Sequence, residues 1–163
     1  MREIGPRPPN VCYRGEGMSP LVHVAYASEA CVELPDQAVR DLLESARRNN
    51  AAIGVTGMML LVGASFFQIL EGELDAVTPL YAKIARDPRH RRIVKLIQEP
   101  IEHRDFQDWS MGLARMTPKE LAAVPGLNDF FSAGSSLDKL GEGVARKLLS
   151  QFKEGAWRAR VAH

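Results

Sequence analysis

Cysteines and histidines are few in this chain and lie far apart. Its 163 residues include two cysteines, Cys12 and Cys31, and four histidines that form no cluster. A structural zinc site needs Cys and His ligands at close and regular spacing, so we expect no metal centre. A disulfide is not expected either, because we place the chain in a reducing compartment for the reasons that follow.

Long apolar segments are also missing. No run approaches the roughly 20 residues that a membrane-spanning helix requires. The first residues, with Arg2, Glu3 and prolines at positions 6, 8 and 9, lack the hydrophobic segment of a signal peptide. We therefore expect a cytoplasmic protein with no membrane partner.

An excess of one charge is the third feature that the sequence lacks. It has 21 basic and 20 acidic residues, for a formal charge of +1. This balance gives no electrostatic reason to expect nucleic acid as a partner. With 45% hydrophobic residues, a chain of this length suits one domain that buries about 68 to 70% of its unfolded surface.

The hydrophobic pattern predicts an α+β fold. Strands are predicted at 21–28, 53–62, 65–71, 92–98 and 109–114, and amphipathic helices at 36–49 and 74–86. Pro35 and Asp36 suit a helix start, Gly63 and Ala64 suit a type II′ hairpin turn, and Asp87-Pro88 stops the second helix. The order βαββαβ with one further strand is that of a ferredoxin-like antiparallel sheet with two helices on one face. The crevice between those helices is the natural ligand site.

The two ends of the chain are expected to lie outside this domain. Residues 1–20, rich in proline and glycine, are predicted to be a flexible extension, residues 21–118 the domain, and residues 119–163 a C-terminal helical appendage. Helices are expected at 118–123 and 137–152. One sheet face carries no helix, so we expect either a homo-oligomer or cover by the C-terminal helix.

Gln68 is the most informative residue. It lies within the apolar run of residues 65–72, and strand alternation places it on one face with Phe66 and Leu70. An amide without a polar partner in such a place costs roughly 1 to 3 kcal/mol. Either the fold or a ligand must therefore satisfy it, and a core glutamine bonded to backbone is the simpler alternative.

Two other polar residues occupy similar positions. Tyr26 ends an apolar strand pattern, and Ser28 continues the same face. Asn50 lies on the apolar stripe of the first helix, although asparagine is also common where a helix merely frays. Three hydrogen-bonding side chains are thus expected to converge on apolar surfaces.

At this point the chain resembles the BLUF family, the blue-light sensors that use FAD. The resemblance covers about residues 20–118 and rests on six fragments in order: Tyr26-Ala27-Ser28, Asn49-Asn50, Ile53-Gly54-Val55-Thr56-Gly57, Phe67-Gln68-Ile69-Leu70-Glu71-Gly72, Asp87-Pro88-Arg89-His90 and Trp109-Ser110-Met111. Each fragment alone is weak, but the order and spacing of all six are specific.

The resemblance implies polar contacts to a flavin ring held between the two helices. Asn50 would contact the C4 carbonyl and N3 side of the ring, with Asn49 as its neighbour and Gln68 beside it. Arg89 would approach the C2 carbonyl side, which suits its fixed charge and several donors. His90 is a secondary pocket residue.

The remaining pocket residues follow from the same resemblance. Leu42 and Ile84 would cover the two sides of the ring, which agrees with their places on the helix stripes, although simple core packing is compatible with both. Lys83 and Asp87 would reach the polar tail of FAD, or else be solvated. Ser28 is included in the cofactor pocket.

The resemblance also implies a mechanism. A photoexcited flavin would draw an electron and a proton from Tyr26, and Gln68 would respond by rotation or tautomerisation. The rearranged hydrogen bonds would give a red-shifted state that returns in the dark. Trp109 and Met111, two residues apart on the last strand, would relay the change to a separate protein partner, with ordinary sheet packing as the alternative.

Two other classes of function remain open at this stage. One is a ferredoxin-like interaction or small-ligand regulatory module without photochemistry. The other is a flavin-dependent oxidoreductase, but the sequence has no Gly-rich dinucleotide motif. We therefore expect a sensor that is not an enzyme.

Overall fold

A computed structural model of the chain describes residues 19–108, 110–115, 117, 119–120, 145–147 and 149–150. Five strands and two helices follow one another as β1 (Leu21–Ala30), α1 (Asp36–Ile53), β2 (Thr56–Val62), β3 (Ser65–Glu73), α2 (Leu74–Ala85), β4 (His90–Pro100) and β5 (Gly112–Arg115). The strands form one sheet in the order β4-β1-β3-β2-β5. This confirms the predicted α+β, ferredoxin-like plan.

The pairing of β5 differs from the prediction of an antiparallel sheet. β1 pairs antiparallel with β3 and β4, and β2 pairs antiparallel with β3, but β5 runs parallel to β2. β4 lies at one edge of the sheet and β5 at the other. The segment between them therefore crosses to the far edge, and β5 starts from the end at which β4 stops.

α1 begins where predicted and ends later. Pro35 precedes its first residue, and Gly54 ends it in a left-handed conformation with φ 69°. The Gly54 N–H reaches the carbonyls of Ala51 and Asn50. Asn50 thus lies in the last regular turn rather than in a frayed end, and β2 starts at residue 56 rather than 53. Two alanines after Asn50 explain the longer helix, because alanine has the highest helix propensity.

The hairpin between β2 and β3 sets the register of the site. Gly63 has φ 59°, and Ala64 is not among the residues with positive φ, as a type II′ turn requires. Val62 pairs with Ser65, and continuing that ladder places Met59 opposite Gln68.

The helices cover one face of the sheet and form the main core with it. Its buried residues are Val22, Val24, Tyr26, Ala30, Val39, Leu43, Val55, Met59, Leu61, Phe66, Leu70, Val77, Met111 and Leu113. The opposite face is apolar as well, with Ala25, Phe67 and Ile69 fully buried. Beside that face the helical residues Ala145 and Leu149 are buried, and Arg146 bonds Glu99 of β4. These contacts favour internal cover by the C-terminal segment.

Only parts of the predicted appendages belong to the described residues. Ser19 Oγ accepts a hydrogen bond from the Asp75 N–H, and the Pro20 carbonyl accepts one from Leu74. Thr117 and Glu120 form a reciprocal capping box, which agrees with a helix starting near residue 118. Residues 1–18 and most of both predicted C-terminal helices lie outside the described residues, so the domain boundaries stay predictions.

Within the described part of the chain, no helix has the length and apolar character to span a bilayer.

Candidate ligand site between the two helices

A cavity lies between α1, α2 and the sheet, with an empty volume of about 630 Å³ that includes its opening to solvent. Its lining consists of Tyr26, Leu42, Ser45, Ala46, Asn49, Asn50, Met59, Gln68, Leu80, Lys83, Ile84, Asp87, Arg89 and His90. Sequence reasoning placed most of these residues at a ligand site, and the structure brings them together.

Tyr26 and Gln68 lie side by side at the base of the cavity. They are directly paired across β1 and β3, and the Tyr26 hydroxyl donates a hydrogen bond to Gln68 Oε1. The exposed fraction of Tyr26 is 0% and that of Gln68 is 5%. Burial, and then the neighbouring Tyr81 and Asp87, raise the pKa of Tyr26 far above its ordinary value. The phenol is therefore a neutral donor at physiological pH.

The other end of the Gln68 amide is less well satisfied. Gln68 Nε2 donates to Met111 Sδ at 3.6 Å. A thioether sulfur is a weak acceptor, and an amide nitrogen carries two N–H donors. The Gln68 side chain therefore retains hydrogen-bonding capacity at a cavity wall, which is the property expected of a residue that meets a polar ligand.

Two side chains of α1 hold the segment that precedes β5. Asn50 Nδ2 donates to the Ser110 carbonyl at 2.9 Å, and Arg47 Nε donates to the Met111 carbonyl at 2.9 Å. Because α1 takes up these two carbonyls, the segment bends there and the strand starts at Gly112. The prediction of a strand from residue 109 is thus wrong at its start: Met111 precedes the strand, and Trp109 lies outside the described residues.

A charged pair stands at the cavity rim. Arg89 donates from Nε to both Asp87 oxygens at 3.0 Å and from its NH2 group to Oδ2 at 2.6 Å. The Arg89 guanidinium lowers the pKa of Asp87 to about 2, against a smaller opposing effect of burial. The Arg89 side chain is 64% exposed, so it lies at the mouth of the cavity rather than inside it.

Ser28 contacts His90 and does not line the cavity. Its buried hydroxyl hydrogen-bonds His90 Nδ1 at 3.0 Å. Burial lowers the pKa of His90, although Asp87 opposes this effect. The imidazole is therefore mostly neutral near pH 7, with its orientation fixed by Ser28 and by edge contact with the Phe66 ring.

The cavity walls include residues that sequence reasoning did not assign to the site. Leu42 and Ile84 line the cavity from the two helices as expected, and Ser45, Ala46, Met59 and Leu80 join them. The hairpin register could have indicated Met59, because it places that side chain opposite Gln68.

A wider groove, with an empty volume of about 1120 Å³ that includes open solvent, shares Asn49, Leu80 and Lys83 with the cavity and continues toward Glu73 and Asp75.

Glu71 is another residue that sequence reasoning missed. Its carboxylate has no exposed surface and accepts hydrogen bonds from the Asp105 and Phe106 backbone N–H groups and from the Thr56 hydroxyl. Burial raises its pKa, and these bonds offset part of that effect. The position of a glutamate within an apolar strand was the sequence feature that could have indicated a buried and hydrogen-bonded carboxylate. Its role is to fix the loop after β4 against the sheet.

Known proteins similar to this chain share this region. Residues 21–112 match the family described as BLUF, sensors of blue-light using FAD. A photoactivated adenylate cyclase subunit beta of Euglena longa is 36% identical over 117 residues, or 71% of this chain and 13% of the relative. The blue light- and temperature-regulated antirepressor BluF of Escherichia coli (strain K12) is 34% identical over 116 residues, or 71% of this chain and 28% of the relative. The match therefore spans only a small part of these relatives.

Among solved structures, the ground state of BlsA superimposes with a TM-score of 0.67 and 29% identity, covering 82% of this chain and 87% of BlsA. The likeness thus extends over most of both chains. The region that matches the family, residues 21–112, is more than half of the 163 residues and holds β1 to β4, both helices and the first residue of β5. The chain therefore belongs to the BLUF family of blue-light sensors that use FAD.

Proposed function

We propose that in this photoreceptor Tyr26 and Gln68 carry the photochemistry and that the output passes to a separate protein partner. The observation that carries the proposal is the buried hydrogen bond from the Tyr26 hydroxyl to Gln68 Oε1 at the wall of the cavity. A phenol and a primary amide, both shielded from water, form a donor and acceptor pair that can rearrange without repacking the core.

The cavity residues fit a flavin. Apolar side chains of α1 and α2 offer two walls for a flat ring, and amides at its base match the carbonyl and ring-nitrogen edge of a flavin. Bound FAD would supply the absorption of blue light and an oxidising excited state. The Gln68 amide nitrogen, satisfied here by a weak sulfur acceptor, is the group best placed to bind a polar ring atom.

The chain's own part in the reaction concerns one proton and one amide. Loss of an electron to the oxidising excited state would make the Tyr26 phenol a strong acid, and Gln68 Oε1 would then accept its proton along the hydrogen bond that already joins them, with proton and electron both returning to Tyr26 in the dark. Gln68 then exchanges its donor and acceptor ends, by rotation or tautomerisation, which alters what the amide offers to the ligand and to Met111. Because the raised pKa keeps Tyr26 protonated in the dark, the starting state is a single hydrogen-bonded arrangement.

The other cavity residues are assigned to binding. Asn50 and Asn49 would hold the C4 carbonyl and N3 side of the ring, and Arg89 the C2 carbonyl side once it turns from Asp87. His90 would contact the ring from an orientation fixed by Ser28. Leu42 and Ile84 would cover its two sides, and Lys83, which lines both the cavity and the groove, would lie nearest the FAD tail together with Asp87.

The output is assigned to a changed protein surface rather than to catalysis by this chain. Met111 receives the Gln68 hydrogen bond and directly precedes β5, so a change at Gln68 reaches the end of the sheet in one step. Trp109 is the second relay residue of the proposal. BluF is an antirepressor by name, which supports an output through a protein partner.

A light-minus-dark absorption spectrum of the FAD-loaded protein tests the proposal. We expect the wild-type chain to show a reversible red shift and Tyr26→Phe to bind flavin but lose the shift, because the variant lacks the proton that Gln68 accepts. Tyr81→Phe is the matched control: its ring packs edge-on against Tyr26 with centroids 5.4 Å apart, but it does not line the cavity. We expect the control to keep the shift. A normal photocycle in Tyr26→Phe would show that the assignment of Tyr26 is wrong.

A further inference from the structure

We propose that Arg47 is a positioning residue that holds the Met111 segment in its dark arrangement and so couples Gln68 to β5. The inference rests on the proposed function, because it concerns the route by which a change at Gln68 leaves the cavity. Arg47 is not among the residues that line the cavity. Its role would therefore be exerted through the backbone of Met111.

The geometry makes Met111 a shared point between two elements. Its side-chain sulfur accepts a hydrogen bond from Gln68 on β3, and its carbonyl accepts one from Arg47 Nε on α1 at 2.9 Å. Met111 itself is buried. A change in the Gln68 amide alters one of these bonds directly, and the other sets how far the residue can respond.

Arg47 does not act alone on this segment. Asn50, three residues further along α1, donates to the Ser110 carbonyl at 2.9 Å. Residues three apart lie on one face of a helix, so the two donors form a clamp over two successive carbonyls. Asn50 is also assigned to the ligand, and Arg47 is therefore the member of the clamp that can be changed without altering the cavity lining.

The chemistry of the clamp favours a single, well-ordered arrangement. A guanidinium is charged at all physiological pH values, and hydrogen bonds from charged donors are stronger than those between neutral groups. Arg47 is also partly shielded from solvent, unlike its neighbour Arg48, which is 72% exposed and pairs with a Glu44 oxygen at 3.6 Å one turn earlier on the same helix. The two arginines carry the same charge, but Arg47 bonds the backbone of the Met111 segment and Arg48 bonds a side chain of its own helix.

Hydrogen exchange of the FAD-loaded protein in the dark tests the clamp directly. Arg47→Met keeps the aliphatic chain and removes every donor, and we expect amides of residues 110–114 to exchange roughly tenfold faster, the change that corresponds to one lost charge-assisted hydrogen bond. Arg47→Lys retains a charged donor and should restore part of the protection. Arg48→Met, on the same turn, should match the wild type.

Illumination separates a positioning role from a merely structural one. In Arg47→Met the red shift should be retained, because Tyr26 and Gln68 are intact. The further, light-induced change in exchange at residues 110–114 should shrink, because the segment is already released in the dark. Retention of the shift with loss of the exchange response is the expected result.

Three results would overturn the inference. The first is dark exchange in Arg47→Met equal to that of the wild type, and the second is an equal effect of Arg48→Met. The third is a full light-induced exchange response in Arg47→Met. If Arg47→Met does not fold, Arg47→Lys serves as the test variant. Because lysine keeps a charged donor, a complete loss of exchange protection at residues 110–114 in Arg47→Lys would contradict the clamp. A wild-type chain without a red shift would reject the proposed function, and the dark comparison would still decide the role of Arg47.

Discussion

At the scale of residues, the site could be predicted where polar side chains interrupt apolar patterns. Gln68 on an apolar strand face, Tyr26 at a strand end and Asn50 on a helix stripe each violate the local pattern. The structure places Tyr26 and Gln68 in direct contact and Asn50 at the same cavity. A residue that breaks the pattern of its own element thus carries information about the site, because burial must be compensated.

Residues that bond to distant backbone could not be predicted in this way. Arg47 contacts a carbonyl 64 positions away, and Glu71 contacts N–H groups 34 and 35 positions away. An arginine on a helix looks like any solvated charge until the partner segment is placed. Ser28 was expected to line the cavity, but its hydroxyl forms a hydrogen bond with His90 behind the cavity lining.

Gly57 offers a stability test at a single position. A Cβ atom at Gly57 would lie 2.0 Å from the Ile69 carbonyl oxygen of the neighbouring strand. Because backbone must move to accept it, we expect Gly57→Ala to lower the free energy of unfolding by about 3 kcal/mol in urea titrations.

Gly63 provides the matched control for that test. It has a positive φ of 59°, which strains any L side chain, but a Cβ there meets no atom within 4 Å. We expect Gly63→Asn to lower the free energy of unfolding by only about 1 kcal/mol, the cost of backbone strain without a steric clash. Equal effects of the two substitutions would contradict the steric account of Gly57.

At the scale of elements, type and order followed from periodicity, but boundaries and pairing did not. The order βαββαββ and the hairpin turn at Gly63 were predicted correctly. α1 runs four residues past its predicted end because Ala51 to Ile53 continue the helix until Gly54 stops it. No local pattern indicates that β5 crosses to the far edge of the sheet, because that choice depends on the chain that precedes it.

The start of β5 shows tertiary contacts overriding local preference. Residues 109–114 have a strand-like sequence, but side chains of α1 capture the carbonyls of Ser110 and Met111. A carbonyl bonded to a helix side chain is lost to the sheet ladder, so the strand is shortened to four residues. Through the same contacts, we propose, a change in the Gln68 amide is passed from the cavity to β5.

At the scale of the whole molecule, Glu99 links the sheet to the C-terminal segment. Its carboxylate accepts two hydrogen bonds from Arg146, at 3.1 and 2.9 Å, and one from buried His23 at 2.9 Å. Arg146, and then His23, lower the pKa of Glu99 to about 2. His23 lies on β1 three residues before Tyr26, so this contact joins the C-terminal segment to the strand that carries the proposed photochemistry.

We expect Glu99→Gln to loosen residues 145–150 and to lower the free energy of unfolding by up to about 1 kcal/mol, since a carboxylate that is 36% exposed is screened by solvent. A carboxylate with a lowered pKa stabilises the fold above its ordinary pKa of 4.5 and loses this contribution as pH falls toward 2. The difference between wild type and variant should therefore shrink over that range of pH, as followed by urea unfolding.

Glu102→Gln is the control for that substitution, because Glu102 is exposed and lies three residues away. We expect it to leave both stability and the exchange of residues 145–150 unchanged. An effect of Glu99→Gln that stays constant from pH 7 to about 2.5 would contradict the account of the Glu99 contact.

Family membership bears on the alternative functions and partners that the sequence left open. Membership of the BLUF family makes a module without flavin the weaker alternative. A homo-oligomer, the absence of nucleic acid as a partner and a cytoplasmic location remain predictions. On the apolar second sheet face, which prompted the prediction of an oligomer, Ala25, Phe67 and Ile69 are buried within this chain, while Val94 of β4 is 40% exposed.

The side-chain amide of Gln68 can be observed directly by ¹⁵N nuclear magnetic resonance of the FAD-loaded protein in the dark and under blue light. The chain has five glutamines, and Gln68→Leu identifies the signal of this one. We expect the Gln68 amide signal to move on illumination and to return in the dark at the same rate as the red shift. A Gln68 signal that stays in place while the absorption shifts would contradict it.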